Sequence, residues 1–138
     1  GINMKQEDLV NIAKNACKNA YSPTTGYMVG AALLAKSGTV YIGVNVEDTK
    51  IPNLSVCAER NAIQNAISHG DREFVAIAVV GKNKESKEFD KTLIPCGVCL
   101  QYIVDMCKDI DIICYIDGIE INQKVKFFLS VPFDFDEK

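Results

Sequence analysis

Helical and strand-like patterns alternate along this chain in the order α-β-β-α-β-α-β. That alternation predicts an α/β fold, a three-layer α/β/α sandwich on a mixed β-sheet. Two further observations point the same way. Residues 74–80 (FVAIAVV) form an almost unbroken apolar run, the mark of a strand covered on both faces. The 138 residues are 48% hydrophobic and 24% charged, the composition of a globular chain, and the length suits one domain spanning 1–138.

Each element has its own signal. Residues 6–21 carry Leu9, Ile12, Ala13, Ala16, Cys17 and Ala20 at spacings of three and four, an amphipathic helix that Ser22-Pro23 is expected to stop. Cys17 lies in that stripe and reads as a small buried hydrophobe. Two β-prone runs, 29–35 and 40–46, flank Lys36-Ser37-Gly38 and predict a hairpin. Residues 56–68 predict a second helix with Val56, Ile63, Ala66 and Ile67 inward, closed by His69-Gly70-Asp71, a basic residue followed by glycine. After the strand at 74–80, residues 81–92 alternate in charge and read as a solvated loop. Pro95 is expected in the first turn of a third helix, whose apolar face is Leu100, Ile103, Val104 and Cys107. Residues 111–116 are a strand with Cys114 as core, and Asp117-Gly118 is a turn. Residues 119–138 fit either a strand or a short helix around 126–130.

Charge and apolar run lengths narrow the function. Fifteen Lys and Arg against 18 Asp and Glu leave 15 − 18 = −3, which argues against a nucleic-acid partner. No apolar run approaches the roughly 20 residues that span a bilayer, so no membrane partner is expected. Gly1, Ile2 and Asn3 read as a cloning remnant before a native Met4, with no export signal, so a reducing, cytoplasmic location is expected. In such a compartment six cysteines point to metal or redox chemistry rather than to structural disulfides.

Two segments concentrate that chemistry: Cys57-Ala58-Glu59-Arg60 and Pro95-Cys96-Gly97-Val98-Cys99, each at the start of a predicted helix. Unpaired N–H groups and the helix dipole favour thiolate there, and thiolate is the metal-binding form. Cys57, Cys96 and Cys99 would give three ligands to a Zn²⁺ ion, leaving the fourth tetrahedral position for water, as in catalytic zinc sites. Glu59, two residues from Cys57, could then take a proton from that water and deliver it to a substrate. Zinc with three thiolates is net −1, so Arg60 beside them would drain charge from the sulfurs.

Cys57-Ala58-Glu59 with Pro95-Cys96-x-x-Cys99 matches the zinc nucleobase deaminase signature, with Cys as first ligand. Together with Val29-Gly30-Ala31-Ala32-Leu33, Asn45-Val46-Glu47 and Gln101, the chain resembles the small homotetrameric cytidine deaminases over nearly its whole length. The resemblance implies a cytidine deaminase-like fold with one zinc per subunit on Cys57, Cys96 and Cys99. It implies Glu59 as proton shuttle in the hydrolysis of cytidine and deoxycytidine, free nucleosides of pyrimidine salvage. It further implies that Asn45 and Glu47 bind the ribose 3′-hydroxyl, that Tyr27 lines the pocket where the family has Phe, and that Phe135, or Phe133, stacks on the base in a neighbouring subunit's site. A shared site of that kind requires association, and the resemblance implies a homotetramer.

The sequence also departs from the family pattern. Leu100 follows the second Cys of the pair where Arg is common, which shifts weight to Arg60. Thr49 replaces a small Ala at the pocket edge, and Ile51 stands where an interface Tyr is frequent. A structural zinc site would need a fourth ligand. His69, the only histidine, lies about 18 Å along its helix from Cys57 at 1.5 Å per residue. Cys107 lies two turns beyond Cys99, so it too reads as core. A redox reading of Cys96-x-x-Cys99 leaves Cys57-Ala58-Glu59 unexplained. Blasticidin-type antibiotic deaminases share the cysteine motifs and the size, and stand as the alternative.

Overall fold

The computed structural model describes residues 5–135, and the expectation for Gly1 to Met4 lies outside them. Five strands form one mixed sheet in the order β2-β1-β3-β4-β5. They are β1 Tyr27–Ala35, β2 Val40–Val44, β3 Phe74–Asn83, β4 Asp111–Ile116 and β5 Ile119–Lys124. Neighbours are antiparallel except β3 and β4, which run parallel with Ala76 opposite Asp111 and Ala78 opposite Ile113. The helices are α1 Gln6–Cys17, α2 Ala58–Ser68, α3 Gly97–Cys107 and the single turn α4 Val125–Phe128.

Side-chain alternation sorts the strands' residues into two cores. Ala31, Leu33, Ile77, Val79, Ile112 and Cys114 pack with Ile63 of α2 and Ile103 of α3. Ala32, Leu34, Ala76, Ala78, Val80 and Ile113 pack with Leu9, Val10 and Ala13 of α1. The three-layer expectation therefore holds, and the run is covered from both sides over Ala76 to Val80, while Val75 at its start is exposed. Cys17, Cys107 and Cys114 are all buried, as expected of core cysteines.

Two glycines let helices lie directly on strands. A Cβ at Gly30 would sit 2.2 Å from the Ala13 carbonyl oxygen of α1, and one at Gly43 would sit 2.3 Å from the Ala58 oxygen of α2. The second contact matters for function, because it presses the first turn of α2 against β2. Asn61 reinforces it by accepting the Val44 N–H at 3.0 Å.

Several boundaries differ from the sequence reading. α1 ends at Cys17, not Tyr21. Asn19 and Ala20 close tight three-residue bonds to Ala16 and Cys17, which frees Tyr21 to donate to Asn45 O and accept from Glu47 N–H. Tertiary pairing thus overrides a helical pattern that runs four residues further. β1 starts at Tyr27 and β3 runs on to Asn83, because the two pair all the way from Tyr27 opposite Asn83. Pro95 precedes the N-cap Cys96 and is outside the first turn of α3. The ambiguous tail contains both alternatives in succession, β5 and then α4, with Val125 fully buried where they meet.

Candidate active site

Cys57 and Cys96 are the N-cap residues of α2 and α3. Both backbones are extended, at φ −79°, ψ 157° and φ −73°, ψ 171°, and neither side chain caps its own helix. An N-cap is normally Ser, Thr, Asp or Asn, whose oxygen satisfies a free N–H. Cysteine at both helix starts forgoes that stabilisation and leaves two sulfurs at the positive ends of two helix dipoles. Cys99, in the first turn of α3, supplies a third. The three Sγ atoms all lie within 4.8 Å of one another.

This donor set fits a zinc ion. Zn–S bonds of about 2.3 Å place tetrahedral sulfurs roughly 3.8 Å apart, inside the observed spread. A hydrogen bond from Cys99, then Arg60, push the Cys57 thiol down to about 5. Cys99 moves the other way, upward, because it donates that bond and is buried. The Arg60 guanidinium lies 3.5 Å from Cys57 Sγ. Among the described residues, Arg60 Nε is a buried side-chain nitrogen without a hydrogen-bond partner. A spare buried donor on an arginine that already bonds a cysteine sulfur suits a negatively charged metal–thiolate centre.

Glu59 follows Cys57 by two residues and is 5% exposed, the buried carboxylate among the core side chains described. Burial first, then the charge of Cys57, push its carboxyl up to about 7. A group poised there can both accept and release a proton near neutrality.

The sulfurs and Glu59 lie at a cleft of about 490 Å³. That volume is in the range of small-ligand pockets. Val29, Val79 and Leu93 give it an apolar patch, while Asn45 and Glu47 contribute polar groups to its wall. The Val46–Val56 bridge, with N–H···O bonds of 3.0 and 2.9 Å in both directions, ties that wall to the cysteine side. It folds the 45–57 connection back so that Glu47 and Cys57 share one cavity.

Asn45 and Glu47 are already engaged by the protein. Asn45 accepts the Val29 N–H at 2.9 Å and donates to the Tyr27 oxygen at 2.8 Å. Glu47 accepts the N–H groups of Thr24 and Thr25 and the Thr25 hydroxyl. Tyr27 does not line the cleft, and its hydroxyl donates to Asp90 at 2.7 Å. Phe135 is also outside the cleft, edge-on to Phe133 at 5.1 Å, and Phe133 is held by two backbone bonds to the Gln101 side chain. Sequence reasoning missed Thr24, Thr25 and Asp90. A Pro-Thr-Thr-Gly stretch signals a turn, but nothing in it says that the turn closes on a carboxylate 22 residues away.

The chain matches the family model described as the cytidine and deoxycytidylate deaminase zinc-binding region over residues 3–115. A cytidine deaminase of Sporosarcina psychrophila is 40% identical over 104 residues, 75% of this chain and 71% of that one. A blasticidin-S deaminase of Bacillus cereus is 34% identical over 128 residues, 89% of this chain and 86% of that one. Among solved structures, a crystal structure of cytidine deaminase from Burkholderia pseudomallei superposes with a TM-score of 0.82 at 34% identity, covering 94% of this chain and all of that one.

Proposed function

The chain belongs to the zinc-binding cytidine and deoxycytidylate deaminase family. From that premise we propose that it is a single-domain hydrolase converting free cytidine and deoxycytidine to uridine and deoxyuridine with release of ammonia. The observation that carries this reading is the meeting, in one cleft of about 490 Å³, of three sulfurs, a buried Glu59 and a polar pair, Asn45 and Glu47.

The residues divide the work. Cys57, Cys96 and Cys99 would hold the zinc. When bound, the metal supplies a water acidified enough to act as a nucleophile near neutral pH. Arg60 and the N-termini of α2 and α3 offset the thiolate charge. The overall reaction breaks C4–N, forms C4–O and consumes one water. Of the two water protons, one must reach the departing nitrogen and one the ring nitrogen N3. Glu59, raised to about 7 and excluded from bulk solvent, is the group that moves them. Asn45 and Glu47 orient the sugar, which favours nucleosides over the free base; the setting proposed for them is pyrimidine salvage in the cytoplasm. Exposed Val131, Phe133 and Phe135 form apolar surface that association would cover, which supports a homotetramer with shared sites.

The test is ammonia release from cytidine, deoxycytidine, cytosine, blasticidin S and CMP, with zinc measured per chain. Turnover of the two nucleosides, with cytosine and CMP poor, is expected. The Bacillus cereus relative matches a larger share of this chain than the cytidine deaminase of Sporosarcina psychrophila does. Turnover of blasticidin S alone, at full zinc content, would therefore replace the nucleoside reading with an antibiotic deaminase.

A further inference from the structure

The Glu47 carboxylate is held by the turn that leads into β1. Glu47 Oε1 accepts the Thr24 N–H at 2.9 Å and the Thr25 N–H at 3.2 Å, and Oε2 accepts the Thr25 hydroxyl at 2.5 Å. Thr25 Oγ1 in turn accepts the Tyr27 N–H at 3.0 Å, so its own proton is directed at Glu47. The turn is anchored at both ends. Gly26 sits at φ +72°, donates to the Ser22 oxygen at 2.9 Å and accepts the Lys84 N–H at 2.8 Å just beyond β3. These bonds fix the donors before any ligand arrives.

A carboxylate offers about four acceptor positions. Three are taken, and the remaining one is on Oε2, the oxygen that Thr25 orients. We propose that Thr25 is a positioning residue for substrate selection, its hydroxyl aiming Glu47 so that it accepts a hydrogen bond from a single sugar hydroxyl. The proposal rests on the reading of Glu47 as a sugar-binding group. It defines the ligand class more narrowly: an ionised, acceptor-only carboxylate with one open position takes a neutral hydroxyl and repels a phosphate there.

Thr25→Val keeps the shape and both backbone donors but removes the hydroxyl. It is expected to raise KM for cytidine about tenfold, the loss of one hydrogen bond to a charged group, while kcat stays within about twofold. With 2′,3′-dideoxycytidine, which keeps the 5′-hydroxyl but lacks the 3′-hydroxyl assigned to Glu47, KM should be the same in variant and wild type. Thr25→Ser should restore the cytidine KM, and Thr25→Ala should repeat the valine pattern. An equal KM rise on both substrates, or none on cytidine, overturns the role of Thr25. A wild-type protein inactive on cytidine overturns the reading of the site on which the proposal rests.

Discussion

The two walls of the cleft are built on different principles. On the sulfur side, Cys57, Glu59 and Arg60 are near neighbours on one helix start, and Cys96 and Cys99 on another. Each group depends on a single turn of backbone, and its side chains are not consumed by the fold. On the sugar side, Asn45 and Glu47 are held by Tyr27, Val29, Thr24 and Thr25, across β1 and its leading turn. There the same side chains are bonded into the fold and line the cleft. One wall separates chemistry from structure and the other combines them, so substitutions on the two should fail in different ways.

The largest effects belong to the sulfur side. Cys57→Ala should lose zinc and all turnover, read by metal analysis. Glu59→Gln should keep zinc and fold but lower kcat by about 10²–10⁴, the usual worth of a positioned proton-transfer group. The pair distinguishes holding the metal from moving the proton. A Glu59→Gln protein turning over near the wild-type rate would remove Glu59 from the mechanism, and unchanged zinc in Cys57→Ala would break the ligand set.

The same division explains what the sequence made legible. Cys57, Glu59, Arg60, Cys96 and Cys99 were readable because their geometry follows from spacing along two helix starts. The layers were readable because strand alternation and helix stripes are local patterns, and the run at 74–80 announced its two-sided burial. The sugar-side wall was readable only as a pair facing one side of a strand. Its partners depend on the Tyr21–Val46 and Val46–Val56 bridges, long-range pairings that no local pattern encodes. The end of α1 was overestimated for the same reason: Tyr21, read as the last residue of the helix, pairs with the 45–47 segment instead. Tyr27 was assigned by position alone, and its hydrogen bond to Asp90 depends on how residues 81–92 fold back after β3.

Asn45→Ala tests whether the sugar side is structural as well as functional. It removes one acceptor and one donor that satisfy the Val29 N–H and the Tyr27 carbonyl in a half-buried setting. A loss of about 1–3 kcal/mol in chemical unfolding is expected, with zinc content unchanged. Full stability with only a raised KM would place Asn45 on the ligand alone and break the comparison.

The smallest effect lies at the opposite end of α3 from Cys96. Backbone strain often gathers at active sites, yet Cys57 and Cys96 have ordinary extended conformations. Lys108, the exposed residue that ends α3, instead sits at φ +65°, ψ −150°. That region is essentially restricted to glycine and costs other residues about 1–3 kcal/mol. Its N–H to Val104 O bond, at 3.0 Å, is a backbone bond that glycine would keep. Lys108→Gly relieves the strain but gains about 0.5–1 kcal/mol of unfolded-chain freedom. The net expectation is about 1 kcal/mol of added stability, or a few degrees in Tm, with zinc content and KM unchanged. A fall in Tm would show that the strain is not relieved, and a change in KM would show that the far end of α3 communicates with the sulfur wall.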